Sequence, residues 1–150
     1  MHGSPSRGFT LMEIMLTVAA LGIISATAIT SSLLMLRAND LDLAIASTTQ
    51  NLRAAQLRSR AADGDAQWGV YLGGNTITLF RGPSFAARNS AYDEATELAS
   101  TITPSGLTEI VYAKKTGLPI NSGVVTLTHD VLGPKQLSIN GLGLIDEVQP

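Results

Sequence analysis

The sequence has 150 residues, of which 15% are charged, and its formal net charge is −2 at pH 7. A chain of this length forms one domain of ordinary size at most, and its charge provides no basic footprint for nucleic acid. It contains no cysteine and only two histidines, which excludes disulfide bonds and thiol catalysis within this sequence and leaves too few ligands for the usual zinc sites. We therefore expect no metal and no cofactor.

The first eight residues are polar, and they contain Pro5 and a single arginine, Arg7, before ending at Gly8. They lack the apolar core of a secretory signal and the paired arginines of a twin-arginine signal. This composition predicts a removable cytoplasmic leader over residues 1–8.

An apolar run starts at Phe9, and its only charge before Arg37 is Glu13. About 20 apolar residues, rising 1.5 Å each, cross a hydrocarbon core of about 30 Å, so residues 9–36 are predicted to form a transmembrane helix. A carboxylate at the bilayer centre costs roughly 2.5–3.5 kcal/mol, and less near an end. Glu13 therefore requires a cation. Cleavage after Gly8 would create one, the α-ammonium of Phe9, in the same chain or in a packed neighbour.

This string, Arg7-Gly8-Phe9-Thr10-Leu11-Met12-Glu13 ahead of an apolar helix, resembles the prepilin signal of type IV pilins and type II secretion pseudopilins. In that family a membrane aspartyl peptidase cuts after the glycine and N-methylates the new terminus. The resemblance implies cleavage between Gly8 and Phe9, methylation of Phe9, and subunit docking through Glu13 and Phe9 of neighbouring subunits. The alternative is a signal anchor that is not processed as a prepilin and carries a glutamate by chance.

The next stretch, residues 37–63, is amphipathic, and no glycine or proline interrupts it before Gly64. We predict one continuous helix from about Phe9 to about Ala62, closed by a glycine cap in Asp63-Gly64-Asp65. Its second half presents apolar and small residues at intervals of three and four. These are Leu41, Ala44, Ile45, Thr48, Leu52, Ala55 and Ser59.

Beyond Gly64 the apolar period changes to two, which is typical of strands. A hairpin is predicted over residues 67–72 and 76–80, with further strands at about 108–113, 123–128 and 136–140. Gly133-Pro134 is interpreted as a turn, and residues 84–98 as a solvated loop that faces neighbours or cargo. The fold class is therefore α+β. The resemblance implies a pilin fold, in which one long helix, transmembrane and then amphipathic, packs on an antiparallel sheet in a head of residues 64–150.

This order of elements is similar to that of H-type minor pseudopilins and FimT-like minor pilins. The resemblance implies a structural, minor subunit of a pilus or secretion pseudopilus. Its partners would be the prepilin peptidase and other subunits, and it would sit in the inner membrane with its head outside the cytoplasm. A major pilin and a DNA-binding FimT-like competence pilin are the alternatives. In those DNA-binding relatives basic residues cluster near the C-terminus, whereas residues 140–150 here contain two acids and no base. Clustered Lys and Arg are what bind phosphate, so the sequence argues against nucleic acid.

A catalytic site is not apparent in the sequence. His129 precedes Asp130 directly, and adjacent residues on a strand point to opposite faces. No Gly-x-Ser-x-Gly nucleophile motif occurs. We therefore expect a protein that is not an enzyme, with a His-Asp pair at a strand end.

Overall fold

The computed structural model describes residues 8–148, with side-chain detail over 8–25 and 37–148. One helix, α1, runs from Leu11 to Arg60, close to the continuous helix predicted from the absence of breakers. The chain divides into two compact units at the junction of Arg37 and Ala38. No helix among the described residues combines the length and apolarity needed to cross a membrane.

The first unit contains the first part of α1. Two hydroxyl side chains there bond to carbonyls of their own helix, Thr17 to Ile14 O at 2.9 Å and Ser25 to Leu21 O at 2.8 Å. Such back-bonding satisfies a hydroxyl group without an outside partner. The hydroxyl residues between 26 and 36 lie outside the part of the chain whose side chains are described.

The second unit combines the end of α1 with two four-stranded antiparallel sheets, ordered β3-β2-β1-β5 and β4-β6-β7-β8. The α+β class predicted from the sequence is confirmed, although the head holds two sheets rather than one. The strands are β1 Trp68–Gly73, β2 Thr76–Arg81, β3 Glu94–Glu97, β4 Ile102–Gly106, β5 Glu109–Tyr112, β6 Gly123–His129, β7 Gly133–Ile139 and β8 Ile145–Val148.

The core of this unit lies between α1 and the inward faces of the sheets. All seven residues of the predicted helix stripe are buried, including the polar Thr48 and Ser59. The alternation of apolar and other residues in β1, β6 and β7 also predicted correctly which side chains are buried, since successive residues of a strand point to opposite faces. The strand residues buried as predicted are Trp68, Val70, Leu72, Val125, Leu127, Leu137 and Ile139.

The predicted end of the helix needs correction. Helix α1 ends at Arg60, and the first left-handed residue after it is Ala62, with φ 52°. Gly64, with φ 61°, belongs to the following 3₁₀ turn, Asp63–Asp65. A left-handed alanine is uncommon because its Cβ crowds the following carbonyl oxygen. The sequence therefore predicted a cap at Gly64, and this prediction was wrong because Ala62 takes the left-handed conformation that ends the helix.

Two predicted loops are in fact partly strands. The interpretation of residues 84–98 as a solvated loop was wrong in part, because it contains β3, an edge strand that pairs with β2. Gly133-Pro134 begins β7 instead of forming a turn. Proline has no N–H to donate, and Pro134 is tolerated because β8 pairs with β7 only from Gln136 onward. Strands β4 and β8 were not predicted at all.

Candidate functional site

The bond between Gly8 and Phe9 lies outside regular structure. Residues 8–10 are neither helix nor strand, and α1 begins only at Leu11. Gly8 is exposed, and Phe9 is 80% exposed. A protease must draw the backbone it cuts into its own site, so a bond two residues ahead of the helix is reached without unwinding helical hydrogen bonds.

Glu13 lies in the first turn of α1. Its backbone N–H contacts Thr10 twice, at 3.1 Å to the carbonyl oxygen and at 3.3 Å to Oγ1. Thr10 is therefore the N-cap, with Glu13 at the third helical position. A carboxylate in the first turn also interacts favourably with the helix dipole. The Glu13 side chain is exposed, so its charge is open to a partner.

Sequence reasoning missed the part that Thr10 plays. The signal was available, because Thr-x-x-Glu before an apolar run is the pattern of a capping box. The residues predicted for processing and docking do meet in space. Gly8, Phe9 and Glu13 line one surface depression together with Thr10.

Residues 3–29 match a known family, the prokaryotic N-terminal methylation motif. The matched range contains Gly8, Phe9 and Glu13, and it supports the resemblance to type IV pilins and pseudopilins. No curated protein and no solved structure matches the chain at a significant level. The H-type subclass therefore stays a prediction, as do the roles of the individual residues.

The connection between β2 and β3 is firmly held, although it is a loop for most of its length. The Phe85 ring stacks on the Tyr71 ring, and the two centroids are 3.9 Å apart. The Arg88 guanidinium lies 3.7 Å from the centroid of the Phe85 ring. The backbone N–H of Phe85 donates to Glu109 Oε1 at 2.8 Å, and Arg88 pairs with Asp93 at 2.7 Å. These contacts order the connection against β1 and β5.

The lysines of the last third differ in how they are engaged. Lys135 forms ion pairs with Asp42 at 2.7 Å and Glu147 at 3.1 Å, and these hydrogen bonds raise the pKa of its ammonium group. Lys114 pairs with Asp65 at 2.8 Å, and its hydrogen bond lowers the pKa of that carboxyl. Among the described residues, Lys115 forms no ion pair. Two of the three lysines are thus already neutralised by carboxylates.

The neighbours His129 and Asp130 occupy different environments. His129 is buried, and its Nδ1 accepts a hydrogen bond from the Val131 N–H at 3.1 Å. Asp130 is exposed at the following turn. The His129 ring therefore faces the interior and the Asp130 carboxylate faces solvent, as expected for adjacent positions at the end of a strand.

Proposed function

We propose that this chain is a non-enzymatic structural subunit of a type IV pilus or a type II secretion pseudopilus. The observation that carries the proposal is the match of residues 3–29 to the methylation motif. Within that range, Gly8 and Phe9 lie just ahead of α1, and Glu13 lies in its first turn. In this proposal residues 1–8 are the leader, residues 9–36 anchor the chain in the inner membrane, and the head lies outside the cytoplasm.

The proposed maturation has two covalent steps. Water adds across the Gly8–Phe9 peptide bond, leaving a carboxylate on Gly8 and an α-ammonium on Phe9. The Phe9 ammonium then loses one proton to solvent, and the free amine attacks the methyl group of an electrophilic methyl donor, whose remainder leaves with the bonding electrons. The methylated amine again carries a positive charge. That charge lies next to the positive end of the helix dipole, which disfavours it. The Glu13 carboxylate offsets this cost when it comes close.

The proposed docking contact pairs Glu13 of one subunit with the Phe9 ammonium of its neighbour. A charge buried without a partner is strongly penalised, whereas a paired one is tolerated. Such a contact would favour one axial register between neighbouring helices, because only that register brings the Glu13 carboxylate of one subunit to the Phe9 ammonium of the next.

Maturation is tested by intact mass and N-terminal sequencing of the protein from membranes with and without a prepilin peptidase. We expect a chain that begins at methylated Phe9 only where the peptidase is present. An uncut chain beginning at Met1 in both samples would contradict the proposal and favour a plain anchor.

The docking role is tested with two variants that separate the charge from the cap. Glu13→Gln keeps the size of the side chain and removes its charge, so we expect normal cleavage and weaker assembly. Thr10→Val removes the capping hydroxyl and keeps the charge, so assembly should persist. Incorporation of the Gln variant into filaments at the normal level would sink the docking role.

A DNA-binding competence pilin finds little support in the lysines. Two of the three in the last third are paired with carboxylates, and phosphate binding depends on free clustered cations. Salt-sensitive retention of the detergent-solubilised chain on DNA would reverse this preference.

Neither a minor nor a major role in the filament is favoured by any contact in the head, and we retain the minor role from the resemblance alone.

A further inference from the structure

One end of the head carries an exposed apolar cluster on two adjoining loops. The Gln56 side-chain amide donates to Gly117 O at 3.1 Å and to Gly143 O at 3.4 Å, which holds the β5–β6 and β7–β8 loops side by side at the end of α1. We call four residues of these loops the loop patch, and each is 42–69% exposed. They are Leu118, Ile120, Leu142 and Leu144.

The charges beside the loop patch are mainly positive. Arg60 Nε donates to the Thr116 carbonyl at 3.4 Å, and Lys115 lies in the same loop. Neither cation forms an ion pair within the described residues. Asp65 at this helix end is neutralised by Lys114, and Asp63 reduces the positive charge without reversing it. Asp146 lies in β8 midway between Leu144 and Val148, so it does not distinguish this end of the head from the other.

A second apolar cluster lies at the other end of the head. Val131, Leu132 and Val148 are 41–57% exposed, and we call them the turn patch. Leu132 and Val148 line one depression of about 380 Å³ together with Asp42, Lys135 and Glu147. Asp42 and Gln56 mark the two ends, and they are about 21 Å apart along α1 at 1.5 Å per residue.

The charges beside the turn patch are mainly negative. Asp42 and Glu147 share a single lysine, Lys135. Asp130 is exposed beside Val131 and forms no ion pair in the described part of the chain. Three carboxylates therefore oppose one ammonium group, which leaves this end negative.

We propose that the loop patch of one copy of this chain docks on the turn patch of the next copy. Contact between two like patches would bring like charges together, whereas contact between unlike patches buries apolar side chains on both sides and matches charges of opposite sign. A contact between two different surfaces of one molecule is heterologous, and it repeats from copy to copy without closing. This inference rests on the proposed function and deepens it, because it names the partner and the surfaces through which heads follow one another. A contact that repeats from copy to copy suits a major subunit, so support for it would also replace the minor role retained from the resemblance.

Cysteine cross-linking tests the contact cleanly, because the sequence has no cysteine of its own. The double variant Ile120→Cys/Val131→Cys, made in the full chain and oxidised in membranes that contain the prepilin peptidase, places one thiol in each patch. We expect a ladder of dimers, trimers and longer species on a non-reducing gel. Each single variant alone should stay monomeric. The matched control Ile120→Cys/Ala95→Cys, whose second thiol is exposed on edge strand β3, should give no ladder.

Charge reversal supplies a second readout. The replacement Lys115→Glu in the double-cysteine chain should lower the cross-linked fraction about tenfold, since a loss of about 1.4 kcal/mol corresponds to that factor. Adding Asp130→Lys should restore the ladder. If neither substitution changed the cross-linked fraction, the charge-matched contact would be overturned.

The other outcomes are equally decisive. Dimers from Ile120→Cys alone would mean contact between like patches and overturn the proposal, and so would cross-links only to a different protein. Maturation is measured by mass in the same membranes. Chains that mature at Phe9 without forming a ladder overturn this inference alone, whereas chains that remain uncut contradict the proposed function as well.

Discussion

Ser59 joins the end of α1 to the start of β1. Its buried Oγ accepts a hydrogen bond from the Trp68 N–H at 2.8 Å and donates to the Trp68 carbonyl at 3.3 Å. A polar residue in an apolar stripe is stable only when its hydrogen bonds are satisfied. The serine therefore hydrogen-bonds both backbone groups of Trp68 at the start of β1.

Replacing Ser59 with alanine should destabilise the head by about 1–3 kcal/mol, because it leaves both Trp68 backbone groups without the hydroxyl. The only tryptophan of the chain is Trp68 itself, so thermal unfolding of the full chain in mild detergent, followed by its fluorescence, reports on this junction. Ser47→Ala, on the same helix and only partly buried, is the control and should change stability by less than about 0.5 kcal/mol. Equal melting of the two variants would refute the bridging role.

Gly69 lies where a side chain has no room. A Cβ at this position in β1 would stand 2.6 Å from Phe80 Cζ and 2.8 Å from the Ile110 carbonyl oxygen. Gly69→Ala should therefore cost about 1–3 kcal/mol through overpacking, measured by denaturant unfolding in detergent. Gly141→Ala is the matched control, since a Cβ there meets nothing within 4 Å. A Gly69 variant as stable as the control would mean that β2 and β5 move away from β1 at little cost to make room for the methyl group.

At the scale of elements, the aromatic group around Phe85 organises the long β2–β3 connection. Phe85 lies between Tyr71 of β1 and Arg88 of its own loop, and it meets Phe80 edge-on at 5.7 Å. Aromatic pairs contribute about 0.5–1.5 kcal/mol beyond their buried area. The loop is therefore fixed by contacts with β1, β2 and β5 more than by its own turn residues.

Phe85→Ala should release this loop while leaving the two sheets folded. We expect amide hydrogen exchange over residues 82–93 to accelerate about tenfold or more, because removing the ring forfeits at least about 1.4 kcal/mol of local packing. Ala86→Ser, at an exposed neighbouring position, should leave exchange unchanged. Protection retained in the Ala variant would show that the Arg88–Asp93 ion pair holds the loop by itself.

The same elements show how far sequence reasoning reaches. The helix stripe and the strands β1, β6 and β7 were predicted because one face of each is buried, and burial of one face imposes a period that a sequence displays. Strands β3 and β4 are edge strands, one acidic and one containing Pro104. Charges and proline are common at edges because an edge is not paired on its outer side. Pairing with a neighbouring strand defines these two, and no tight hairpin turn links either strand to its partner.

The candidate site shows the same limit. Gly8, Phe9 and Glu13 were found because the motif is local and ordered in sequence, and Thr10 could have been found by the same reasoning. The Phe85 group and the two exposed patches bring together residues from several elements. Only the fold shows that Gln56 holds two loops together or that Lys135 reaches both α1 and β8.

At the scale of the whole molecule, processing and stability depend on different parts of the chain. The groups proposed for maturation and docking lie within residues 8–13, whereas the buried core runs from Leu41 to Ile139. Effects of substitutions without shared partners usually add. Changes at Glu13 should therefore alter assembly without lowering the melting temperature of the head, and changes at Ser59 or Gly69 should do the reverse.

The response of the head to alkaline pH gives a further test of its core. Tyr112 is buried on β5, and burial raises the pKa of its hydroxyl from 10.0 to about 12. A folded-state pKa above the unfolded value means that the folded state holds the proton more tightly. The stability that protonated Tyr112 contributes is therefore complete below pH 10 and is lost as the pH rises toward 12. The loss approaches about 2–3 kcal/mol at the upper end, since each pKa unit corresponds to about 1.4 kcal/mol. Lys135 adds to the loss in the same direction, because its raised pKa also marks a proton that the folded state holds more tightly.

Unfolding of the full chain in detergent between pH 8 and 12 separates the two contributions. Tyr112→Phe removes the buried ionisable group and keeps the ring, so its stability should fall less steeply above pH 10 than that of the parent chain. Lys135→Met removes the ammonium group, and it should lower stability at pH 8 while leaving the contribution of Tyr112 in place. If the Phe variant followed the parent curve over the whole range, Tyr112 would have to reach solvent before it ionises, and the core around β5 would be looser than its packing indicates.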